Sequence, residues 1–237
     1  MKKLIFAVCT VAAGSALLAA DVESDKVYGI VNVASTNANT IISAPWIGTD
    51  GAAFSVSNIV STASLANGDK LYLYDDTTGK WSGYTLESGS WTPDQTVTAD
   101  TVAAVPVAKT SLPRGTAMVL VRTDKSKPII MGGKYDKTPS PKTVTKGTTA
   151  LIGNPTAETK YIPNSTGNVG DKVMVFGDGA TVTYDKITKS GASAWYQWQI
   201  VEGRKVQVKL DNGVSVPGGT GVMYICTSTA DVSVWSE

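Results

Sequence analysis

Three short blocks recur in the same order along this chain, and that repetition limits the possible folds more than any single motif. Thr40-Ile41-Ile42-Ser43-Ala44-Pro45 matches Ala150-Leu151-Ile152-Gly153-Asn154-Pro155. Gly68-Asp69-Lys70-Leu71-Tyr72-Leu73-Tyr74 matches Gly170-Asp171-Lys172-Val173-Met174-Val175-Phe176. Ser111-Leu112-Pro113-Arg114-Gly115-Thr116 matches Ser215-Val216-Pro217-Gly218-Gly219-Thr220. Pro45 to Asp69 is 24 positions and Pro155 to Asp171 is 16, while Asp69 to Pro113 is 44 and Asp171 to Pro217 is 46. Three collinear matches predict a duplicated unit of about 100 residues. The expected units are 21–128 and 129–237. A linker is expected near 137–145, where Lys137-Thr138-Pro139-Ser140-Pro141-Lys142 is polar and carries two prolines. A weaker echo relates Val27-Tyr28-Gly29-Ile30 to Ile129-Ile130-Met131-Gly132 and Val232-Ser233-Val234-Trp235, so the halves could share or exchange edge strands.

The repeated unit reads as all-β. Thr (29) and Val (27) together make about a quarter of the chain, glycine and proline are spread throughout, and no three-turn helix stands out. Arg204-Lys205-Val206-Gln207-Val208-Lys209-Leu210 alternates, with Val206, Val208 and Leu210 on one face and the polar residues on the other, as in a half-exposed strand. It runs into Asp211-Asn212-Gly213, a turn signal. Asp75-Asp76-Thr77-Thr78-Gly79 reads as a hairpin loop, with Gly177-Asp178-Gly179 in its place in the second copy. The repeated blocks are turns delivering strands: Gly-Asp-Lys before one, Pro-x-Gly-Thr before another. Those strands are apolar on both faces, Leu71 and Leu73 against Tyr72 and Tyr74, so both faces need cover. The expectation is two duplicated β-units, sandwich or barrel-like, each supplying central strands or covering the other.

Location and charge narrow the function. Met1-Lys2-Lys3 followed by an apolar run from Leu4 to Leu18, small residues at Ala19-Ala20 and polar Asp21 has the layout of a cleaved signal peptide over 1–20. Its removal takes Cys9, Lys2 and Lys3, leaving Cys226 as the one cysteine and 19 basic against 20 acidic groups. A single cysteine allows no intramolecular disulfide, and in Val222-Met223-Tyr224-Ile225-Cys226 it reads as a buried thiol. Near-zero charge argues against nucleic acid and anionic membranes as partners. No other stretch approaches the roughly 18 apolar residues of a spanning helix, so no transmembrane segment is expected in the mature chain. The expected location is extracytoplasmic: periplasm, cell surface or medium.

Catalysis finds little support in the inventory. The chain has no histidine, which removes the commonest general base and metal ligand. Glu23, Glu87, Glu158 and Glu202 all lack an apolar setting that would raise a carboxyl for acid work. Asp75-Asp76 lacks the alternating acids and distal glutamate of a calcium loop, and Pro217-Gly218-Gly219-Thr220-Gly221 lacks the lysine of a phosphate loop. No catalytic residue, cofactor or metal is expected.

An aliphatic strand ending in Ala/Asn-Pro, then Gly-Asp-x-aliphatic-x-x-aromatic, then Gly-x-Trp or similar, then Leu-x-x-Gly-x-Gly before an apolar strand resembles the tandem-repeat secreted β-domain family of bacterial envelope proteins of uncharacterised function. The first copy departs from the pattern at Gly115-Thr116-Ala117, where the second keeps Gly219-Thr220-Gly221. The resemblance implies an extracytoplasmic β-fold and brings no catalytic residues. The aromatic residues remain. Trp195, Tyr196 and Trp198 crowd one strand, with Tyr196 and Trp198 on the face opposite Trp195, and Trp81 lies in the first copy. Such rings either pack a core or stack on sugars. These four residues are the candidate ligand contacts. The expected function is a non-enzymatic structural or interaction protein of the envelope, self-assembling or adhesive, with itself or other envelope proteins as partners. The alternative is polysaccharide binding through exposed Trp and Tyr.

Overall fold

The computed structural model describes residues 28–33, 39–48, 51–61, 64–134, 141–177 and 180–235. The expected signal segment and residues 137–140 of the expected linker lie outside the described residues, as do Asp178 and Gly179. Among the described residues the fold is all-β, 51% strand and 2% helix, in several antiparallel sheets without a closed barrel.

The strands before the linker are β1 (Tyr28–Val33), β2 (Asn39–Ser43), β3 (Lys70–Asp75), β4 (Lys80–Glu87), β5 (Ser90–Pro93), β6 (Ala117–Val121) and β7 (Ile129–Lys134). After it come β8 (Lys142–Val144), β9 (Thr149–Gly153), β10 (Lys160–Ile162), β11 (Lys172–Gly177), β12 (Ala180–Lys189), β13 (Ala192–Val201), β14 (Arg204–Lys209), β15 (Val214–Val216), β16 (Gly221–Ile225) and β17 (Val232–Val234). The first main sheet has the order β2-β6-β3-β4-β5, and the second β9-β16-β11-β12-β13-β14. Position by position the two orders agree, with β14 added at the outer edge of the second. β1 pairs with β7, and β8 with β17. The strand that follows residue 128 is therefore hydrogen-bonded to the first strand of the chain, and each half joins its own first and last strands.

The shared turns make the same bonds in both halves. Asp69 Oδ2 accepts the Ala66 N–H at 3.0 Å and Oδ1 the Thr123 N–H at 2.7 Å. Asp171 Oδ2 accepts the Asn168 N–H at 2.9 Å and Oδ1 the Thr227 N–H at 2.9 Å. Each aspartate thus ties the turn before one central strand to the end of its neighbour, β6 or β16. Thr116 N–H donates to Pro113 O at 2.9 Å and Thr220 N–H to Pro217 O at 3.2 Å, closing the two Pro-x-Gly-Thr turns. Gly115 and Gly219 there have φ of 82° and 71°, values that favour glycine. The loop after β3 is held by Asp75, whose Oδ1 accepts the Thr77 N–H at 2.9 Å. Three further hairpins turn on two residues with positive φ, the signature of type I′ turns: Ser88-Gly89, Ser190-Gly191 and Glu202-Gly203.

The two-faced apolar strands explain the layering. One face of the first sheet, carrying Ile42, Leu71, Tyr84, Leu86, Met118 and Leu120, packs under β1–β7 residues such as Val31 and Met131. The matching face of the second sheet packs Ile152, Val173, Trp195, Val222 and Tyr224 under β8–β17 and the β10–β15 pair. The other faces meet each other: Ile41 and Ala117 of the first sheet bury Leu151 of the second, flanked by Val119, Met223 and Phe176. The halves therefore cover each other. The seam is also bonded reciprocally, Ser43 N–H to Gly219 O at 2.9 Å and Gly153 N–H to Gly115 O at 3.2 Å. Ser43 and Gly153 hold matching positions, as do Gly115 and Gly219, so the contact is self-complementary in the manner of a two-fold interface.

Candidate functional site

The strand that crowds the aromatics, β13, has two environments along its length. Its first part, through Gln197, pairs with β12 on one side and β14 on the other. Beyond Gln197 the pairing to β12 ends, while that to β14 continues to Val201↔Arg204. Residues 198–207 thus form a two-stranded arm closed by the Glu202-Gly203 turn.

Burial divides the four candidates accordingly. Trp195 is 0% exposed in the second-half core, its indole N–H donating to Pro163 O at 3.2 Å and its ring edge-on to Tyr224 at 6.0 Å. It presents no surface to a ligand, which corrects its candidacy: the face it occupies is the covered one. Tyr196 points the other way, as alternation requires, yet is only 7% exposed, with the Lys189 ammonium 4.8 Å from its ring centre. Trp198 is 45% exposed and has Lys205 Nζ at 5.0 Å over its ring. Trp81 lies in the first sheet, half-buried against Tyr74 with ring centres 4.8 Å apart, beside the seam between the sheets. The structure thus brings Tyr196 and Trp198 onto one strip of β13 and places Trp81 and Trp195 elsewhere.

Two residues of the arm escaped the sequence reading. Ile200, on the face of Trp198, is 70% exposed, and Val201, on the opposite face at the tip, is 45% exposed. Register puts Trp198 opposite Gln207, Ile200 opposite Lys205 and Val201 opposite Arg204. The arm therefore presents apolar side chains interleaved with cations, a surface suited to flat apolar or anionic groups. The missed signal was Val201-Glu202-Gly203-Arg204: an X-Gly pair between two alternating runs marks a tight hairpin, and the residues at its tip have nothing above them.

A second set of polar groups is sealed within the second-half core. Lys186, on β12, is buried; its ammonium donates to Asn164 O and lies 5.3 Å from the Trp195 ring centre. Tyr224 Oη donates to Asp171 Oδ2 at 2.9 Å. Burial pulls the Lys186 ammonium below the usual lysine range, opposed by the Asp171 carboxylate. Burial, reinforced by the bond to Asp171, pushes the Tyr224 phenol far above the usual tyrosine range. The matching residues of the first half are apolar, Leu86 for Lys186 and Leu120 for Tyr224. Above this cluster lies an open polar depression of about 350 Å³ lined by Ser165 to Asn168 and Asp231 to Ser233. Gly167 lines it and is packed against Tyr224 Oη with no room for a Cβ, while phenol, lysine and carboxylate are themselves at most 1% exposed.

Comparison with protein-family models, with curated proteins and with solved structures returns no match to this chain. The reading of the site therefore rests on its own chemistry. Among the described residues no group of three or more Cys, Asp or Glu side chains is placed to hold a metal ion, and no helix is long and apolar enough to cross a membrane. Cys226 is buried, its Sγ 3.1 Å from Ser228 Oγ.

Proposed function

We propose that this chain is an exported, non-enzymatic protein of the cell envelope, built from two copies of one β-unit and acting by association through the β13–β14 arm. One observation carries the reading: Trp198, Ile200 and Val201 stand exposed on a two-stranded projection, while the aromatic residues deeper in the same strand are buried. Large apolar groups held in water on a hairpin lose free energy when covered, and such patches mark contact surfaces. Among the described strands the arm's outer strand is paired on one side only, and sheet edges associate readily. Sedimentation and negative-stain microscopy of the chain, purified as an export-competent host processes it, test the reading. Concentration-dependent assemblies lost in Trp198→Ser/Ile200→Ser support it; a monomer throughout counts against it.

A second reading, polysaccharide binding, is favoured by the half-exposed Trp198 ring with Lys205 beside it. Its test is tryptophan fluorescence against soluble polysaccharides, with the shift expected to vanish in Trp198→Ala.

A further inference from the structure

We infer that the partner of the arm is a second copy of this chain, engaged head to tail: the β13–β14 arm of one copy against the acidic outer edge of the first sheet of the next. This rests on the association reading above and specifies its partner and polarity.

The charges of the two sheet ends are opposite in sign. From Lys189 to Lys209 the chain carries Lys189, Arg204, Lys205 and Lys209 against Glu202 alone, a net +3. From Glu87 to Val105 it carries Glu87, Asp94 and Asp100 and no lysine or arginine, a net −3. Arg204, Lys205 and Lys209 are exposed, and so are all three acids. Asp94 Oδ1 accepts the Thr96 N–H at 2.8 Å, and its hydrogen bonds to Thr96 hold it below the usual carboxylate range. The acidic end also has apolar surface to offer, with Val97 68% exposed and Val105 52%.

Position makes the two ends available at once. The main sheets meet chiefly through β2, β6 and β3 against β9, β16 and β11. β5 and β14 are the outermost strands on the far side of each sheet from that seam. A copy can therefore use its arm and its acidic edge simultaneously, and a heterologous contact of this kind propagates into a polar filament unless its rotation closes a ring.

The symmetric alternative is disfavoured by register. The two-residue turn makes Val201↔Arg204 a hydrogen-bonded pair, so Lys205, Gln207 and Lys209 direct their free backbone groups outward. Pairing β14 with β14 of a second copy about Gln207 would set Lys205 opposite Lys209 twice on one face, a like-charge arrangement that opposes pairing. On the acidic side, Pro93 lacks an N–H, so β5 is a poor template for strand addition. The contact is accordingly one of side chains, charge against charge around an apolar centre.

The experiment uses two charge-reversed variants of the exported chain, Lys205→Glu/Lys209→Glu and Glu87→Lys/Asp100→Lys, each checked for native circular dichroism. Sedimentation is followed at low and high salt. The wild type should form assemblies that grow with concentration and weaken in roughly 0.5 M salt, as screening of exposed charges requires. Each variant alone juxtaposes like charges and should associate about 100-fold more weakly. Mixing the two variants restores opposite charges at every junction and should restore assembly. Variants that assemble alone as the wild type does, or a mixture that stays dispersed, would overturn the head-to-tail contact while leaving association by another surface in place. A wild-type chain that stays monomeric and binds an immobilised polyuronate would overturn both, assigning the arm to polysaccharide.

Discussion

The hydroxyl of Ser43 donates to the carbonyl oxygen of Asn154 at 2.7 Å, joining the end of β2 to the residue after β9 across 111 positions of sequence. The same two strand ends exchange backbone bonds with the opposite half's Pro-x-Gly-Thr turns. Space at this crossing is so short that a Cβ on Gly153 would lie 2.5 Å from both Gly115 O and Ser43 Cβ. The seam is thus held by a bond that needs a small hydroxyl on one side and no side chain on the other.

Substitution at the crossing should show that asymmetry. Ser43→Ala loses one buried hydrogen bond and should cost about 1 kcal/mol. Gly153→Ala forces backbone apart and should cost about 3 kcal/mol. Urea unfolding of the two variants measures both, and equal costs would contradict the steric account.

The paired aspartates should behave alike although they lie 102 positions apart. Asp69→Ala and Asp171→Ala each leave part-buried N–H donors without their acceptor, and each should destabilise by about 2 kcal/mol. Asp171 serves additionally as acceptor for Tyr224, so its loss should be the larger. Thermal unfolding followed by near-ultraviolet dichroism reads the order.

Trp195 and Trp198, three positions apart, should respond oppositely. Trp195→Ala empties a core site and should cost about 3–5 kcal/mol, whereas Trp198→Ala should change stability by less than about 0.5 kcal/mol. Acrylamide quenching of the remaining fluorescence should fall in Trp198→Ala, because the most accessible indole is gone.

Lys186 is replaceable by an apolar side chain but not by a cavity. Asp171 keeps its backbone donors and Tyr224 without it, and the first half manages with Leu86 at the matching place. Lys186→Met should therefore lie within about 1 kcal/mol of wild type, as for other buried charges replaced by hydrophobes of similar volume. Lys186→Ala should lose about 3 kcal/mol to the void.

Alkaline titration gives a further check. Tyr224 has a raised value in the folded chain, whereas an unfolded tyrosine ionises near about 10. Above that pH the unfolded chain releases a proton that the folded chain keeps, so stability falls as pH rises. Tyr184, raised by burial, acts in the same direction. Lys186, lowered by burial, acts oppositely, and its gain is complete near about pH 10.4, the unfolded lysine value. Denaturation between pH 10.5 and 11.5 should show a smaller fall in Tyr224→Phe than in the wild type.

Much of the architecture was legible in the residues. The Gly-Asp and Pro-x-Gly-Thr blocks announce turns because glycine, aspartate and proline act on their own backbone, and the structure finds those turns making the same bonds in both halves. Alternation likewise placed Trp195 opposite Tyr196 and Trp198, since period two is a local property of extended chain. The strands apolar on both faces required cover on both sides: each half's own outer strand pairs cover one face, and the halves cover the other for each other. What alternation leaves open is which face meets the core. Trp195 and Trp198 are the same residue type on one strand. Only the end of β12 pairing at Tyr184↔Gln197, together with the Pro163 carbonyl that accepts the Trp195 indole N–H, buries one and strands the other in solvent. Lys186 could not be read as buried either, because its partners Asn164 and the Trp195 ring arrive from loop and neighbouring strand. Local chemistry determined the turns, the strands and their two faces. Burial is summed over neighbours distant in sequence, so the seam, the sealed polar cluster and the exposed arm were decided by tertiary structure alone.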